Sequence, residues 1–305
     1  SKAFYDSAPI IAPQEQLQCF TTIGQEEQNK LIIASKPTTC LLDPIPTKLL
    51  KELLPVAEEP LLNIINSSLS LDHVPKTVQV MKPQLIKPLI KKSHLDPNEL
   101  ANCRPILNLP FMSKILEKPV SAQLCSFLNS SFPLHPMQFG FRANYSTETA
   151  TCYFIEKVKA SLDTGGVVGA VFLDLKKAFD MVNHNILLYK LLNFNFSSEL
   201  VNLIQSYLSL RSQHVKIGNY KSNSLCLSTG VPQGSILGPT LFSIYINDLP
   251  FVCENCDIVM YADDTVIFTH GKTAAEVAIK LTDELVKVTS WLNHCCLQLN
   301  VSKTF

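Results

Sequence analysis

Apolar residues in this chain follow two rhythms: helical spacing of three and four over most of its length, and short unbroken runs at a few places in the second half. Residues 1–35 mix polar and apolar positions in a helix-compatible way and carry no sharper signal. After Asp43-Pro44-Ile45-Pro46, a proline at a first helical turn precedes Leu49, Leu50, Leu53 and Leu54, which predicts a helix. A second apolar helix is predicted over 60–69, stopping near His73-Val74-Pro75. Gln84-Leu85-Ile86-Lys87-Pro88-Leu89-Ile90-Lys91-Lys92 reads as extended, because its prolines exclude helix while Leu and Ile favour strand. Helices are predicted over 111–128 (Ile115, Leu116, Leu124 and Leu128 inward), 147–162, 186–192, 198–208 and 239–246, with a strand over 213–217.

The unbroken runs are where the chemistry lies. Val167-Val168-Gly169-Ala170-Val171-Phe172-Leu173-Asp174-Leu175 follows the turn signal Thr164-Gly165-Gly166 and reads as a buried strand with Asp174 near its carboxyl end. Further on, Ile258-Val259-Met260 and Val266-Ile267-Phe268 flank Tyr261-Ala262-Asp263-Asp264, a strand–turn–strand with two adjacent carboxylates at its tip. Hairpins usually turn on glycine or asparagine pairs that accept positive φ, whereas two like charges side by side repel and call for a cation. If the two segments pair, Asp174 and Asp263 share one pocket and can bridge two Mg²⁺ ions about 3.5–4 Å apart. Magnesium binds hard carboxylate oxygens and keeps waters for substrate phosphates, so two or three aspartates suffice. Asp264 is then an alternate ligand or a supporting acceptor in the turn. Strands that carry aspartates between helices predict an α+β fold, a small antiparallel sheet backed by helices.

A length of 305 residues supports one large domain or two lobes, and 46% hydrophobic with 17% charged residues fits a globular protein. No stretch of about 18 uninterrupted apolar residues occurs, and the first residues lack a secretory layout. The expectation is an intracellular protein with no membrane contact, cytoplasm and nucleus both open. Ten scattered cysteines in a chain of this length do not form a disulfide framework. Cys253-Glu254-Asn255-Cys256 has half a zinc spacing, with His294-Cys295-Cys296 a poor second half, so a reduced loop is the preferred reading. Formal charge is zero, yet 76–118 holds eight basic residues against Asp96, Glu99 and Glu117, a local excess able to face phosphate.

Taken in order, Phe172-Leu173-Asp174-Leu175 with Ala178-Phe179-Asp180, then Gly230-Val231-Pro232-Gln233-Gly234-Ser235-Ile236-Leu237-Gly238-Pro239, then Tyr261-Ala262-Asp263-Asp264 resemble the palm of a reverse transcriptase of the non-LTR retrotransposon (LINE) type. Further blocks resemble the same family in the same order: Asn102-Cys103-Arg104-Pro105-Ile106, Gln138-Phe139-Gly140-Phe141-Arg142, Ser146-Thr147-Glu148-Thr149-Ala150, Ile246-Asn247-Asp248-Leu249-Pro250 and Leu299-Asn300-Val301-Ser302-Lys303-Thr304. The resemblance implies a right-hand polymerase: an extension over 1–40, fingers over 41–163 with part of the palm interleaved, and palm over 164–305. It also implies an RNA template, a DNA primer, dNTPs, and Mg²⁺ with Mn²⁺ as an alternative. The family continues into a thumb and is often preceded by an endonuclease, so the expectation is a piece of a larger polyprotein.

The resemblance assigns further roles. Phe179 stands where an aromatic crowds the ribose 2′-OH and selects deoxynucleotides. Gln233 and Gly234, in a loop broken by glycine and proline, approach the nucleotide or template, with Gly230 and Pro232 beside nucleic acid. Arg104 and Arg142 are candidates for phosphate, as forked donors, and Lys303 for the triphosphate. Lys91 and Lys92 extend the basic surface. The chain departs from the family pattern at Cys103, Asn183 and Cys295, where an aromatic, an aspartate and an asparagine are usual. The rival readings are an inactive nucleic-acid-binding remnant and an RNA-dependent RNA polymerase, the latter opposed by Phe179 and the Pro232-Gln233-Gly234 loop.

Overall fold

Strand-forming runs and helical runs alternate in a computed structural model that describes residues 16–36, 40, 42–70, 83–99, 102–131 and 133–305. Its strands are β1 (Pro83–Ile90), β2 (Cys103–Asn108), β3 (Val167–Leu173), β4 (Arg211–Ile217), β5 (Tyr220–Lys221), β6 (Leu225–Leu227), β7 (Asp257–Tyr261) and β8 (Asp264–Gly271). Contacts divide the described residues into two units, the first from Leu128–Lys190 and Pro239–Phe305, the second from 16–127 and Leu191–Gly238.

The first unit is built on a three-stranded antiparallel sheet in the order β3-β8-β7. The register runs from Val167↔Gly271 to Leu173↔Thr265 on one side of β8 and from Asp257↔Phe268 to Tyr261↔Asp264 on the other. Alternation along the strands presents apolar side chains to both faces. One face packs on the Thr147–Asp163 helix through Val259, Val266 and Phe268 against Ala150, with Tyr153 and Phe154 beside them. That helix starts on a reciprocal cap, Ser146 and Thr149 each bonding the other's backbone N–H, so the Ser146-Thr147-Glu148-Thr149 block does local work. The Ala274–His294 helix packs on β3 and β8, burying Val277, Leu281, Val288, Trp291 and Leu292 at helical spacing.

In the second unit, β2-β1-β4-β5 form a mixed sheet with β6 also on β4. β1 runs antiparallel to β2 and parallel to β4. Pro88 faces Pro105, so two residues without an N–H meet at one ladder position, beyond the Pro83–Ile86 stretch that pairs with β4.

The observed class is mixed helix and sheet, and the three-stranded sheet matches the small antiparallel sheet expected. In the second sheet β1 and β4 fall on the stretches read as extended over 84–92 and as strand over 213–217, whereas Pro105 disguises β2, and β5 and β6 are too short to show a period. The 274–294 helix, unassigned in the pattern above, is the longest element among the described residues. The stop expected at 73–75 falls outside the described residues. Among those residues no helix is long and apolar enough to cross a membrane.

Candidate active site

Pairing of Tyr261 with Asp264 leaves Ala262 and Asp263 as a two-residue loop. Ala262 has φ +58°, and Asp263 is not left-handed, the sign pattern of a type II′ turn. An L-residue held in the left-handed region costs about 1–2 kcal/mol, so a neighbour must hold it there. Residues 137–140 lie along the outer edge of β7. Phe139 N–H donates to Met260 O at 2.8 Å, and Met260 N–H to Met137 O at 2.9 Å. Gln138 Oε1 accepts from Gly140 N–H at 2.8 Å and from Ala262 N–H at 3.2 Å.

Asp174 continues β3 by one residue, and the Leu173↔Thr265 register carries it opposite Asp264. The C-terminal segment runs along the outer edge of β3, with Leu175 bridged to Leu299 and Phe172 exchanging backbone bonds with Phe305. There Asn300 holds Asp174 twice, its N–H on the backbone O at 2.7 Å and its Nδ2 on the carboxylate at 2.7 Å. Lys303 Nζ lies 3.7 Å from the other carboxylate oxygen.

The field at this end of the sheet is negative. Burial pushes the Asp263 carboxyl above its ordinary range, the nearby charges of Asp264 and Asp174 push it further, and its own backbone N–H offsets part of the rise. Asp174, Asp264 and Lys303, with Phe154, Phe172 and Tyr261, line a cavity of about 820 Å³. Three carboxylates that repel one another are a donor set suited to a hard divalent cation, which would relieve the repulsion. Among the described residues no three Asp, Glu, His or Cys groups are already drawn into a ready-made cage. The fit therefore lies in donor type and charge.

Other candidate residues of the first unit serve packing as well. The Phe179 ring stacks on buried Phe242 at 4.4 Å and meets Phe141 edge-on at 6.3 Å. Arg142 donates to the carbonyls of His135 and Gln138 at 3.1 and 3.0 Å and lies 4.2 Å over the Tyr145 ring, bracing the segment that holds the turn. Cys253 and Cys256 border a loop held by buried Glu284, which accepts from the N–H groups of Glu254 and Asn255.

The remaining candidates belong to the second unit. Gly230 and Gly234 both adopt positive φ in the loop before the Leu237–Ile246 helix, with Pro232 buried and Gln233 half-buried. Buried Glu117 anchors the loop, accepting from Ile236 N–H at 2.6 Å and Leu237 N–H at 3.2 Å on one oxygen, and from Tyr207 and Ser113 on the other. Arg104 lies on β2 in register with Leu89, and Lys91 and Lys92 are exposed where β1 ends. Gln138, Asn300 and Glu117 were not among the candidates drawn from the sequence. A polar residue embedded among apolar ones, as Gln138 is between Met137 and Phe139, is the signal that points to a buried partner.

A family model described as reverse transcriptase (RNA-dependent DNA polymerase) matches residues 90–305. The chain is 30% identical over 281 residues to the RNA-directed DNA polymerase from mobile element jockey of Drosophila melanogaster, covering 90% of this chain and 30% of that protein. It is 31% identical over 210 residues to the probable RNA-directed DNA polymerase from transposon BS of the same fly, covering 66% and 23%. It is also 25% identical over 257 residues to the retrovirus-related Pol polyprotein from type-1 retrotransposable element R2 of Popillia japonica, covering 79% and 34%. The chain thus spans about a third or less of each of these relatives. Its ordered motifs, the aspartate-bearing sheet end and the match over 90–305 agree: the chain belongs to the reverse transcriptase family.

Proposed function

We propose that this chain forms the fingers and palm of an RNA-directed DNA polymerase that adds dNTPs to a primer 3′-OH on an RNA template. The observation that carries the reading is the shared sheet end, where Asp174 and the Asp263-Asp264 turn feel one another's charge in a family member. Asp174 and Asp263 would hold two Mg²⁺ ions, or Mn²⁺, with Asp264 in support. Bound there, the ions would acidify the primer hydroxyl and neutralise the triphosphate and its leaving group. Asn300 fixes the Asp174 carboxylate, and Lys303 supplies a positive charge beside it for the triphosphate. Phe179, stacked on Phe242, would crowd a ribose 2′-OH. The Gln233-Gly234 loop and Arg104 would touch the nucleotide, and Lys91, Lys92, Arg142, Gly230 and Pro232 the nucleic acid.

In this reading fingers cover 41–163 and palm 164–305, and their interleaving is supported by the division of contacts, which joins 128–190 with 239–305 and 191–238 with 16–127. The thumb and any endonuclease would belong to the parent polyprotein. Primer extension on an RNA template tests the reading. Asp263→Asn should lower extension by about 10³-fold or more while keeping salt-sensitive binding. In the same assay Phe179→Ala should raise NTP incorporation relative to dNTP by about tenfold. An Asp263→Asn chain that extends like the parent overturns the metal assignment.

A further inference from the structure

The geometry points to Gln138 as the positioning residue of the Asp263 turn: its buried Oε1, by accepting from both Ala262 and Gly140, sets where the Asp263 carboxylate is presented. The inference rests on the polymerase reading for its catalytic consequence and on geometry alone for the clamp.

Four observations converge on it. Both partners of Oε1 are backbone N–H donors, so the amide has one workable orientation, oxygen toward the turn. Gln138 is completely buried, and its Nε2 has no hydrogen-bond partner. An unsatisfied buried donor costs about 1–3 kcal/mol, a cost that a plain core position would shed by carrying an apolar residue. The turn it grips begins with an alanine at φ +58°, so the clamp and the conformation needing a clamp coincide. Finally, a Cβ on Gly140 would sit 2.3 Å from Ala262 N, so the strap lies against the turn at a distance only glycine allows.

Gln138 sits within its own brace. Arg142 donates to the Gln138 carbonyl, and the Gln138↔Met260 bridge fixes the backbone on either side of the amide. Loss of the Oε1 acceptor should therefore free the turn while leaving the strap in place. The side chain is too enclosed to touch a nucleotide, and its effect on chemistry passes through Ala262 to Asp263.

The test pairs amide hydrogen exchange of the metal-free chain, read at Ala262 N–H, with steady-state dNTP incorporation by the same preparations. In Gln138→Met, of similar volume but without the acceptor, Ala262 N–H should exchange about tenfold faster. The same variant should lose about 10- to 100-fold in kcat with the dNTP KM within about twofold, the mark of misplaced chemistry rather than lost binding. Gln138→Glu, kept neutral by burial near the aspartates, retains both accepted bonds with its carboxyl O–H in the place of Nε2, so it should restore the protection and most of kcat. Gly140→Ala is an independent variant, expected to speed the same exchange by pushing the turn away. Equal exchange at Ala262 in parent and Gln138→Met, parental kcat in Gln138→Met, or a glutamate variant no better than the methionine one overturns the assignment. A parent chain that incorporates no dNTP defeats the polymerase reading instead, while exchange at Ala262 still decides the clamp.

Discussion

Asp263 shows how a residue proposed for the chemistry can be costly to the fold. Its carboxyl is raised above the ordinary range by burial and by its acidic neighbours, so the folded chain holds that proton more tightly than the unfolded chain does. That contribution is complete below the unfolded carboxylate range near pH 4, and it is lost as pH rises through the raised folded value. At neutral pH, without divalent cation, Asp263→Asn should therefore melt about 1–3 °C above the parent, and the gap should close as the pH falls. Calorimetry with chelator across pH 3.5–8 checks it, a parent that melts higher at pH 7 being the contrary result. Asp174 answers the same problem differently, since Asn300 and Lys303 supply it with a donor and a counter-charge. Both aspartates are legible in the sequence because each ends an apolar run. Asn300 is not, because its partner lies 126 positions away.

At the level of elements, Glu117 ties the Phe111–Ser130 helix to the start of the Leu237–Ile246 helix. A carboxylate at a helix N-terminus satisfies otherwise orphaned N–H groups, and burial still leaves its pKa raised. Glu117→Leu strands those N–H groups and the Tyr207 hydroxyl, and should cost about 2–4 kcal/mol. Glu117→Gln keeps one oxygen for the N–H pair and offers its amide to hydroxyls that can rotate to accept, so it should cost about 1 kcal/mol or less. Chemical denaturation of both variants separates the two, and equal losses would show that packing rather than hydrogen bonding is at stake. Helices such as 111–130 and 198–208 are readable from their apolar spacing alone. β2 is not, because proline argues against a strand until the facing Pro88 is known. The 274–294 helix is legible too, from its apolar period and from its start, where the Thr273 hydroxyl accepts from Glu276 N–H.

For the molecule as a whole, zero net charge means that any grip on a polyanion must come from where charge is placed. Lys91 and Lys92, both exposed at the end of β1, are the simplest test. Replacing both by alanine should weaken binding to a primer–template duplex uniformly across sequences and flatten the log–log salt dependence by about one to two. Titration at several salt concentrations would show it, and an unchanged slope would remove these lysines from the interface. Length and composition leave one large domain or two lobes open, whereas the route by which 128–163 and 239–305 return to one unit depends on pairings that no local pattern encodes.

The three-stranded sheet is covered on both edges at its aspartate-bearing end, by residues 137–139 at Met260 of β7 and by Phe305 at Phe172 of β3. An uncovered strand is a template for indiscriminate pairing between molecules. Each cover also steadies one aspartate, Gln138 reaching the Asp263 turn and Asn300 reaching Asp174. Under the proposed function, solubility and turnover are thereby yoked: damage that unpeels either cover would leave a protein that both clumps and stalls.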